Sequence, residues 1–337
     1  MFNFRNDYHD LCHPEIWRAL LRVQDEGCEG YGYDAHSEAA REKISAALGA
    51  SYPVHFVPGG TAANTLAIGF VLRPHEAVIS ADSGHIVGDE VGAIEAGGHK
   101  IITVETEDGK FDPARLQATL ESFGNFHNVL PGMIYLSNAT ETGLVYTKDE
   151  LRRIKEIADE HGVSVYIDGA RMASALTSPV SDVELSEYPE FADIFSIGGT
   201  KNGALFGEAL VFSNKRLADE FIYFQKQRSL LLAKGFTLGV QFETLFTDDL
   251  FFEIGRKANE MAFYLEEVLH EASFPPYRKV ESNQVFVELP ADVVQRLDAE
   301  GQFEVFAEGD PSLVRLVTTY RTTKEEIDGF GELLRSL

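Results

Sequence analysis

The sequence has little of what disulfide-rich, membrane-spanning or nucleic-acid-binding proteins require. Its 337 residues contain only two cysteines, Cys12 and Cys28, and no C-x-x-C pair, which excludes a disulfide framework. No run of about 18 apolar residues occurs, so no transmembrane helix is predicted. Basic residues are scarce, with 29 Lys and Arg against 54 Asp and Glu. The net charge of −25 argues against nucleic acid and anionic membrane as partners, since phosphate binding requires a basic surface.

The rest of the composition is that of an ordinary globular protein. Hydrophobic residues make up 44% of the chain, which is long enough to bury a large core. We expect a large domain over residues 1–245 and a small C-terminal domain over residues 246–337. Residues 1–7 are too polar for a secretory signal peptide, so we expect a cytoplasmic enzyme.

Short apolar runs alternate with helical patterns over the first two thirds of the chain. Strands are predicted at residues 54–57, 77–80, 100–104, 133–137, 163–167, 194–197 and 208–212. Repeated strand–helix–strand units predict an α/β fold with a mainly parallel seven-stranded sheet and helices on both faces. The link over residues 198–207 is too short for a helical crossover, so the last strand should run antiparallel to its neighbour.

Outside this region the pattern is mainly helical. Helices are predicted at residues 10–26 and 35–48, and residues 213–270 are mostly helical. Strands at 284–289 and 313–318 and a terminal helix from Thr323 then indicate a small α+β domain.

A lysine and an aspartate each follow a predicted buried strand. Lys201 lies in the motif G-G-T-K-N-G over residues 198–203, and Asp168 begins the motif D-G-A-R. An amine and a carboxylate at the ends of successive strands suit pyridoxal 5'-phosphate. The amine forms a Schiff base, and the carboxylate keeps the pyridine nitrogen protonated. Taken singly, Lys201 could be an exposed loop lysine and Asp168 a turn residue that caps a helix. The two together predict the cofactor.

Two earlier segments add candidate cofactor ligands. Gly60 and Thr61 lie between a strand and a helix predicted at 62–72, where backbone amides and a hydroxyl suit a phosphate. A plain turn with a helix cap is the alternative. The segment does not match G-x-x-x-x-G-K-[ST], which disfavours nucleoside triphosphates. His85 follows the next strand and could stack on the pyridine ring, or serve a structural hydrogen bond.

Two arginines are candidates for binding a carboxylate. Arg171 could turn back to the cofactor or to a substrate carboxylate, or form a surface ion pair. Arg315 lies within an apolar strand and needs an anionic partner if it is buried, because an unpaired buried charge is costly. An exposed strand face is the alternative for Arg315. No metal site is predicted.

In this order, the motifs resemble the L-threonine aldolase family of fold-type-I pyridoxal phosphate enzymes, a group that includes the β-eliminating lyases. The resemblance covers nearly the whole chain. It rests on F-R-N-D, Y-G-Y-D, G-T-A-A-N, A-D-S-G-H, D-G-A-R, G-T-K-N-G and V-R-L-V-T at residues 4–7, 31–34, 60–64, 81–85, 168–171, 199–203 and 314–318.

The resemblance implies an aspartate-aminotransferase-like fold and a homodimer or homotetramer with active sites at the dimer interface. Lys201 would carry the cofactor, Asp168 would pair with its ring nitrogen, and His85 would stack on the ring. Gly60 and Thr61 would hold the phosphate. The residues implied in substrate binding are Arg171 and Arg315 on the carboxylate, with Tyr31 and either Lys226 or Arg228 serving the neighbouring subunit.

Two departures from the family pattern affect the substrate site. Asn6 stands where many members have a serine that helps to bind the carboxylate. Residues 137–143 lack the second active-site histidine that many members carry in the matching turn. The group that takes the proton from the substrate hydroxyl is therefore open, with His85 or a bound water as candidates.

The sequence thus predicts cleavage of L-β-hydroxy-α-amino acids, such as threonine, allo-threonine or phenylserine, to glycine and an aldehyde. One alternative is β-elimination from an amino acid, which would use the same Lys201 and Asp168. A second alternative is a non-catalytic protein of the same fold that binds an anionic metabolite.

Overall fold

The structure is a computed structural model that describes residues 2–336. Met1 and Leu337, the outer ends of the two predicted domains, lie outside the described residues. The strands are β1 (Phe2–Asn3), β2 (Val54–Val57), β3 (Glu76–Ala81), β4 (Lys100–Val104), β5 (Leu130–Ser137), β6 (Ser164–Asp168), β7 (Ile194–Gly198), β8 (Glu208–Phe212), β9 (Gln284–Leu289), β10 (Gly301–Gln302), β11 (Glu304–Ala307) and β12 (Ser312–Val317).

Helices connect and cover these strands. The α-helices are α1 (Pro14–Arg22), α2 (Ala35–Ala47), α3 (Gly60–Val71), α4 (His85–Gly88), α5 (Ala93–Ala96), α6 (Pro113–Glu121), α7 (Lys148–His161), α8 (Met172–Leu176), α9 (Tyr188–Phe191), α10 (Phe221–Gln227), α11 (Phe236–Leu245), α12 (Leu250–Glu271), α13 (Ala291–Asp298) and α14 (Lys324–Ser336). Within residues 2–336, no helix is both long and apolar enough to cross a bilayer.

The predicted seven-stranded sheet is confirmed, with the order β2-β8-β7-β6-β5-β3-β4. Strands β3 to β7 pair in parallel, whereas β8 runs antiparallel to both β7 and β2, as the short link before β8 predicted. The central strands are buried because helices cover both faces of the sheet. Their carboxyl ends therefore open at one shared edge, which is where open α/β sheets bind ligands.

Helix α3 begins two residues earlier than predicted. Gly59 is its N-cap in extended conformation, so Gly60 and Thr61 lie in the first turn. The first-turn amides have no partners within the helix and point towards the sheet edge. The earlier start places the backbone amides of Gly60 and Thr61 among the unpaired amides of the first turn.

The C-terminal part contains an antiparallel sheet of the order β11-β12-β9, backed by α12 and α14. The first residues of the chain join this part, because β1 pairs in parallel with β10. Phe2 and Phe4 pack on Phe330, with ring centroids 4.7 and 5.4 Å away. This packing anchors the N-terminal segment, which then runs past the open edge of the large sheet. The domain boundary at residue 245 stays a prediction.

Candidate active site

A cavity of about 810 Å³ lies where the carboxyl ends of the central strands meet the small C-terminal sheet. Strand ends and the loops that follow them supply most of its wall. Seven predicted site residues line it: Gly60, Thr61, His85, Asp168, Arg171, Lys201 and Arg315. Residues that are far apart in sequence are thus brought to one chamber by the order of the strands.

Lys201 follows β7 on a tight turn. The Asn202 side chain donates hydrogen bonds to the carbonyl oxygens of Gly198 (2.6 Å) and Ala170 (3.2 Å), which ties this turn to the one after β6. A Cβ on Gly198 would lie 2.4 Å from the Ala170 oxygen, so only glycine allows this approach. Burial lowers the pKa of the Lys201 ammonium, and the positive charge of Arg171 lowers it further. A lowered pKa makes the neutral, nucleophilic amine more accessible.

Asp168 ends β6, and its carboxylate is held by hydrogen bonds from four groups. Oδ2 accepts from Tyr135 Oη (2.8 Å) and Asn64 Nδ2 (3.0 Å). Oδ1 accepts from the Ala170 amide (2.9 Å) and from Ser196 Oγ (3.4 Å). The side chain is buried, yet it borders the cavity that Lys201 also lines. The donors fix the orientation of a negative charge at the cavity wall.

His85 is held by a buried carboxylate, that of Glu90. Glu90 is 5% exposed, and its Oε1 accepts from His85 Nδ1 (2.8 Å) and from Asn64 Nδ2 (2.7 Å). Burial alone would lower the pKa of His85, but the Glu90 hydrogen bond and the charge of Asp168 outweigh it and raise that pKa. Asn64 therefore links the supports of His85 and Asp168, a role that the sequence did not indicate.

Two further glutamates border the cavity, and of these Glu208 is buried and Glu141 is partly buried. Glu208, at the start of β8, accepts a hydrogen bond from the Gly199 amide (2.9 Å), and burial raises its pKa to about 8. Glu141 Oε1 accepts from Ser137 Oγ (2.6 Å) and from the His85 amide (3.0 Å), and burial raises its pKa as well. The sequence feature that could have identified Glu208 is its position as the first residue of an otherwise apolar strand.

Arg171 makes a buried ion pair with a residue near the start of the chain. Asp7 Oδ2 accepts from Arg171 Nε (2.7 Å) and Oδ1 from Nη2 (3.1 Å), while Asn283 also donates to Oδ2 (3.1 Å). Burial alone would raise the pKa of Asp7, but Arg171 and Lys201 hold it below its usual value. This ion pair uses Nε and Nη2 of Arg171 and fixes the orientation of its guanidinium group. Nη1 is therefore the part of the side chain that can bind a ligand.

Loss of the Asp7 carboxylate is expected to destabilise the protein. Breaking a buried ion pair costs about 3–5 kcal/mol, so Asp7→Ala should lower the free energy of unfolding by about that amount. Glu156→Ala, which breaks the exposed pair with Arg153, should cost about 0–1 kcal/mol. Urea unfolding measures both values.

The pH dependence of this loss follows from the lowered pKa of Asp7. The ion pair stabilises the fold above the ordinary aspartate pKa, and its contribution is lost as the pH falls through the folded-state value. The difference between wild type and Asp7→Ala should therefore shrink in acid. A difference that is equal at neutral and acid pH would contradict this account.

Arg315, on β12, is paired within the small sheet. Its Nη2 contacts Glu304 on β11, and its guanidinium lies 5.7 Å from the centre of the Phe306 ring. Glu304 and Arg315 are opposite each other in the β11–β12 ladder. Nε of Arg315 is buried and has no hydrogen-bond partner among the described residues. The guanidinium thus faces the cavity with part of its donor capacity unused.

Neither Asn6 nor Tyr31 is among the described residues that line this cavity. Asn6 Oδ1 accepts from the Tyr8 amide (3.1 Å), and Tyr8 is the residue of this segment that borders the cavity. Tyr31 is 41% exposed on another face, where Lys226 Nζ lies 4.2 Å from its ring centre. A role for Tyr31 in a neighbouring subunit's site, and one for Asn6 in carboxylate binding, stay predictions.

The class of protein follows from this fold together with its relatives. Residues 4–292 match the family model described as Beta-eliminating lyase. The chain belongs to the beta-eliminating lyase family. Aspartate aminotransferase from Thermus thermophilus shares the fold, with a TM-score of 0.76 at 18% identity over 100% of this chain and 91% of the other. The predicted aspartate-aminotransferase-like fold is confirmed.

Within that class, the chain is similar to threonine aldolases. It is 32% identical to the low specificity L-threonine aldolase of Pseudomonas aeruginosa over 88% of this chain and 86% of the relative. The solved structure of Leishmania major threonine aldolase matches with a TM-score of 0.97 and 39% identity, covering 100% of this chain and 99% of the other. The predicted resemblance to this family is confirmed.

Proposed function

We propose that this protein is a pyridoxal phosphate-dependent aldolase that cleaves L-β-hydroxy-α-amino acids to glycine and an aldehyde. The observation that carries the proposal is that the half-buried Lys201, whose amine is desolvated, and the buried Asp168 border one cavity at the strand ends. The threonine aldolase relatives support this reaction class. The substrate would be of the threonine, allo-threonine or phenylserine type.

The residues of the cavity fit the cofactor. A Cβ on Gly60 would meet no atom within 4 Å, so the backbone of the first turn of α3 borders open space in which a phosphate fits. Lys201 offers the amine, Asp168 the carboxylate for the ring nitrogen, and His85 a ring to stack. Pyridoxal phosphate supplies an aldehyde for amines and a ring that accepts the electron pair left at Cα.

The chain's own residues orient the substrate and move its protons. Arg171 and Arg315 offer guanidinium groups to the α-carboxylate, and bidentate pairing would fix the orientation of Cα. A fixed carboxylate decides which bond at Cα is aligned for cleavage. The lowered pKa of Lys201 suits Nζ to return a proton to Cα at the end of the reaction.

The guanidinium of Arg315, which we propose to bind the substrate carboxylate, forms an ion pair with Glu304. We expect Glu304→Gln to remove this competition and to tighten the binding of amino acids by up to about five-fold, the value of a partly exposed ion pair. Titration with glycine, followed through the absorbance of the bound cofactor, measures this. Glu308→Gln is the matched control, because Glu308 is exposed in the next turn. Weaker glycine binding in Glu304→Gln would contradict the role of Arg315.

A substrate panel tests the proposed reaction. Purified protein with pyridoxal phosphate is given L-threonine, L-allo-threonine, phenylserine and serine, and aldehyde, glycine, ammonia and pyruvate are measured. Equal amounts of glycine and aldehyde support the proposal. Ammonia with the matching 2-oxo acid, which is pyruvate for serine, would instead indicate β-elimination. Binding without any turnover would indicate the non-catalytic alternative.

We also propose a cytoplasmic homodimer or homotetramer with sites at the subunit interface, where Tyr31 and Lys226 or Arg228 serve the neighbouring site. Light scattering gives the subunit number. Mixing an inactive Lys201→Ala protein with an inactive Tyr31→Ala protein tests the shared site, because a mixed dimer regains one complete site. No regain of activity after subunit exchange would contradict the sharing.

A further inference from the structure

The wall of the cavity beside His85 carries a second carboxyl group, Glu141. Its Oε1 is anchored by Ser137 Oγ at 2.6 Å and by the His85 amide at 3.0 Å. Both of these contacts from other residues of the described chain go to Oε1, and neither uses Oε2. Because Glu141 lines the same cavity as Lys201 and Asp168, Oε2 is the oxygen that a ligand in that cavity can meet.

His85 is a poor acceptor for a substrate proton in this setting. Its Nδ1 is bound to Glu90, a buried carboxylate whose other oxygen has no partner within the described chain. This contact favours the protonated imidazolium, as the raised pKa of His85 indicates. In its protonated form the ring can stack and donate, but only the neutral form could take up the proton of a hydroxyl group.

Glu141 has the properties that His85 lacks. Its carboxyl group is desolvated, which raises its pKa and makes the carboxylate a stronger base than a solvated one. It stands on the turn after β5, within the stretch of residues 137–143 that has no histidine. The anchoring of Oε1 holds the side chain in one orientation, which general base catalysis requires.

We propose that Glu141 is the catalytic base that accepts the β-hydroxyl proton of the substrate, a role that rests on the proposed aldolase function. The O–H proton passes to Oε2 as the C–O bond becomes the C=O bond of the aldehyde. The electron pair of the breaking Cα–Cβ bond stays with Cα, where a bound cofactor would supply the electron sink. Glu141 then releases its proton to water at the cavity mouth.

The charged and titratable groups that face Glu141 come from several elements. Asp168 at the end of β6 raises its pKa, and His85 on α4 lowers it. The charge of Glu141 also raises the pKa of two buried tyrosines, Tyr135 on β5 and Tyr146 before α7. With the base at Glu141, cleavage should slow as the pH falls through the pKa of Glu141, because the protonated acid cannot accept the hydroxyl proton.

The test compares cleavage, which requires removal of the β-hydroxyl proton, with glycine binding and Cα proton exchange, which do not. Glu141→Gln keeps an oxygen that can accept from Ser137 and from the His85 amide, but it cannot take a proton. We expect cleavage of phenylserine and threonine to slow by about 10²-fold or more. Glycine has no hydroxyl group, so glycine affinity and the exchange of its Cα proton in deuterium oxide should change by no more than about two-fold. Both measurements use the enzyme loaded with cofactor.

Two further variants control for folding and position. Glu141→Asp keeps a carboxylate and should cleave faster than Glu141→Gln, and the acid limb of its pH profile should persist while the Gln variant loses it. Glu107→Gln changes an exposed glutamate and should behave as wild type. Near-wild-type cleavage by Glu141→Gln would overturn the proposal. Loss of both glycine exchange and cleavage in that variant would also overturn it, because Glu141 would then support the site as a whole.

The same measurements distinguish this proposal from the proposed function. A wild-type protein that exchanges the Cα proton of glycine but releases no aldehyde from any β-hydroxy amino acid would refute the aldolase function. A wild-type protein that cleaves, together with an unaffected Glu141→Gln variant, would refute the role of Glu141 alone.

Discussion

Lys201→Ala is expected to abolish covalent attachment of the cofactor and to lower cleavage by about 10⁴-fold or more. Desolvation and the charge of Arg171 lower the pKa of the lysine amine. Lys201 and Asp168 line the same cavity. The variant loses both the nucleophile that holds the cofactor and the group that returns a proton to Cα. Absorbance of the bound cofactor and borohydride trapping measure the attachment, and aldehyde release measures the cleavage.

A control variant and a rescue make this prediction specific. Lys100→Ala removes an exposed lysine of the edge strand β4 and should leave attachment and cleavage unchanged. A small amine added to Lys201→Ala should restore part of the proton transfer without restoring attachment to the protein. Full turnover by Lys201→Ala, or borohydride trapping at another lysine, would refute the assignment.

Asp168→Ala is expected to lower cleavage by about 10³-fold, the effect of removing one preorganised charge from an active site. Four hydrogen bonds hold the carboxylate at the cavity wall. A negative charge there keeps the ring nitrogen protonated, and each unit of pKa change on that nitrogen corresponds to about 1.4 kcal/mol. Steady-state cleavage and the spectrum of the bound cofactor measure the loss.

A cofactor analogue tests the reason for that loss. N-methyl pyridoxal phosphate carries a permanent positive charge on its ring nitrogen, so it should restore part of the activity of Asp168→Ala. Asp25→Asn alters an exposed carboxylate on another surface and should leave activity unchanged. If the analogue restores nothing in a folded variant, Asp168 acts through position rather than charge.

The sequence was most informative where chemistry follows a local pattern. Strand ends can be read from short apolar runs, because the alternation of strand and helix depends on residues close together in the chain. Lys201, Asp168 and His85 each follow such a run, and the order of parallel strands brings strand ends to one edge. The residues that we propose to carry the cofactor chemistry can therefore be predicted from the amino-acid sequence, and the structure brings them to one cavity.

Helix starts and acidic residues were less well predicted. The start of α3 was placed two residues late, because Gly59 and Thr61 are both acceptable caps and only packing chooses between them. Most glutamates are exposed, and no feature of the sequence marks Glu90 as a buried one. Its burial depends on Asn64 and His85, which approach it from other parts of the chain.

The tertiary structure alone decided how the charged groups are paired. Asp7 meets Arg171 because β1 is anchored on the C-terminal part of the protein, and Glu304 meets Arg315 through the register of two antiparallel strands. Glu141 reaches His85 only because β3 and β5 are neighbours in the sheet. By itself the sequence determined at which strand ends the proposed site residues stand, because strands can be recognised from local patterns. The structure decided which residue supports, neutralises or faces each of them, because the energy of a buried charge depends on its neighbours in space.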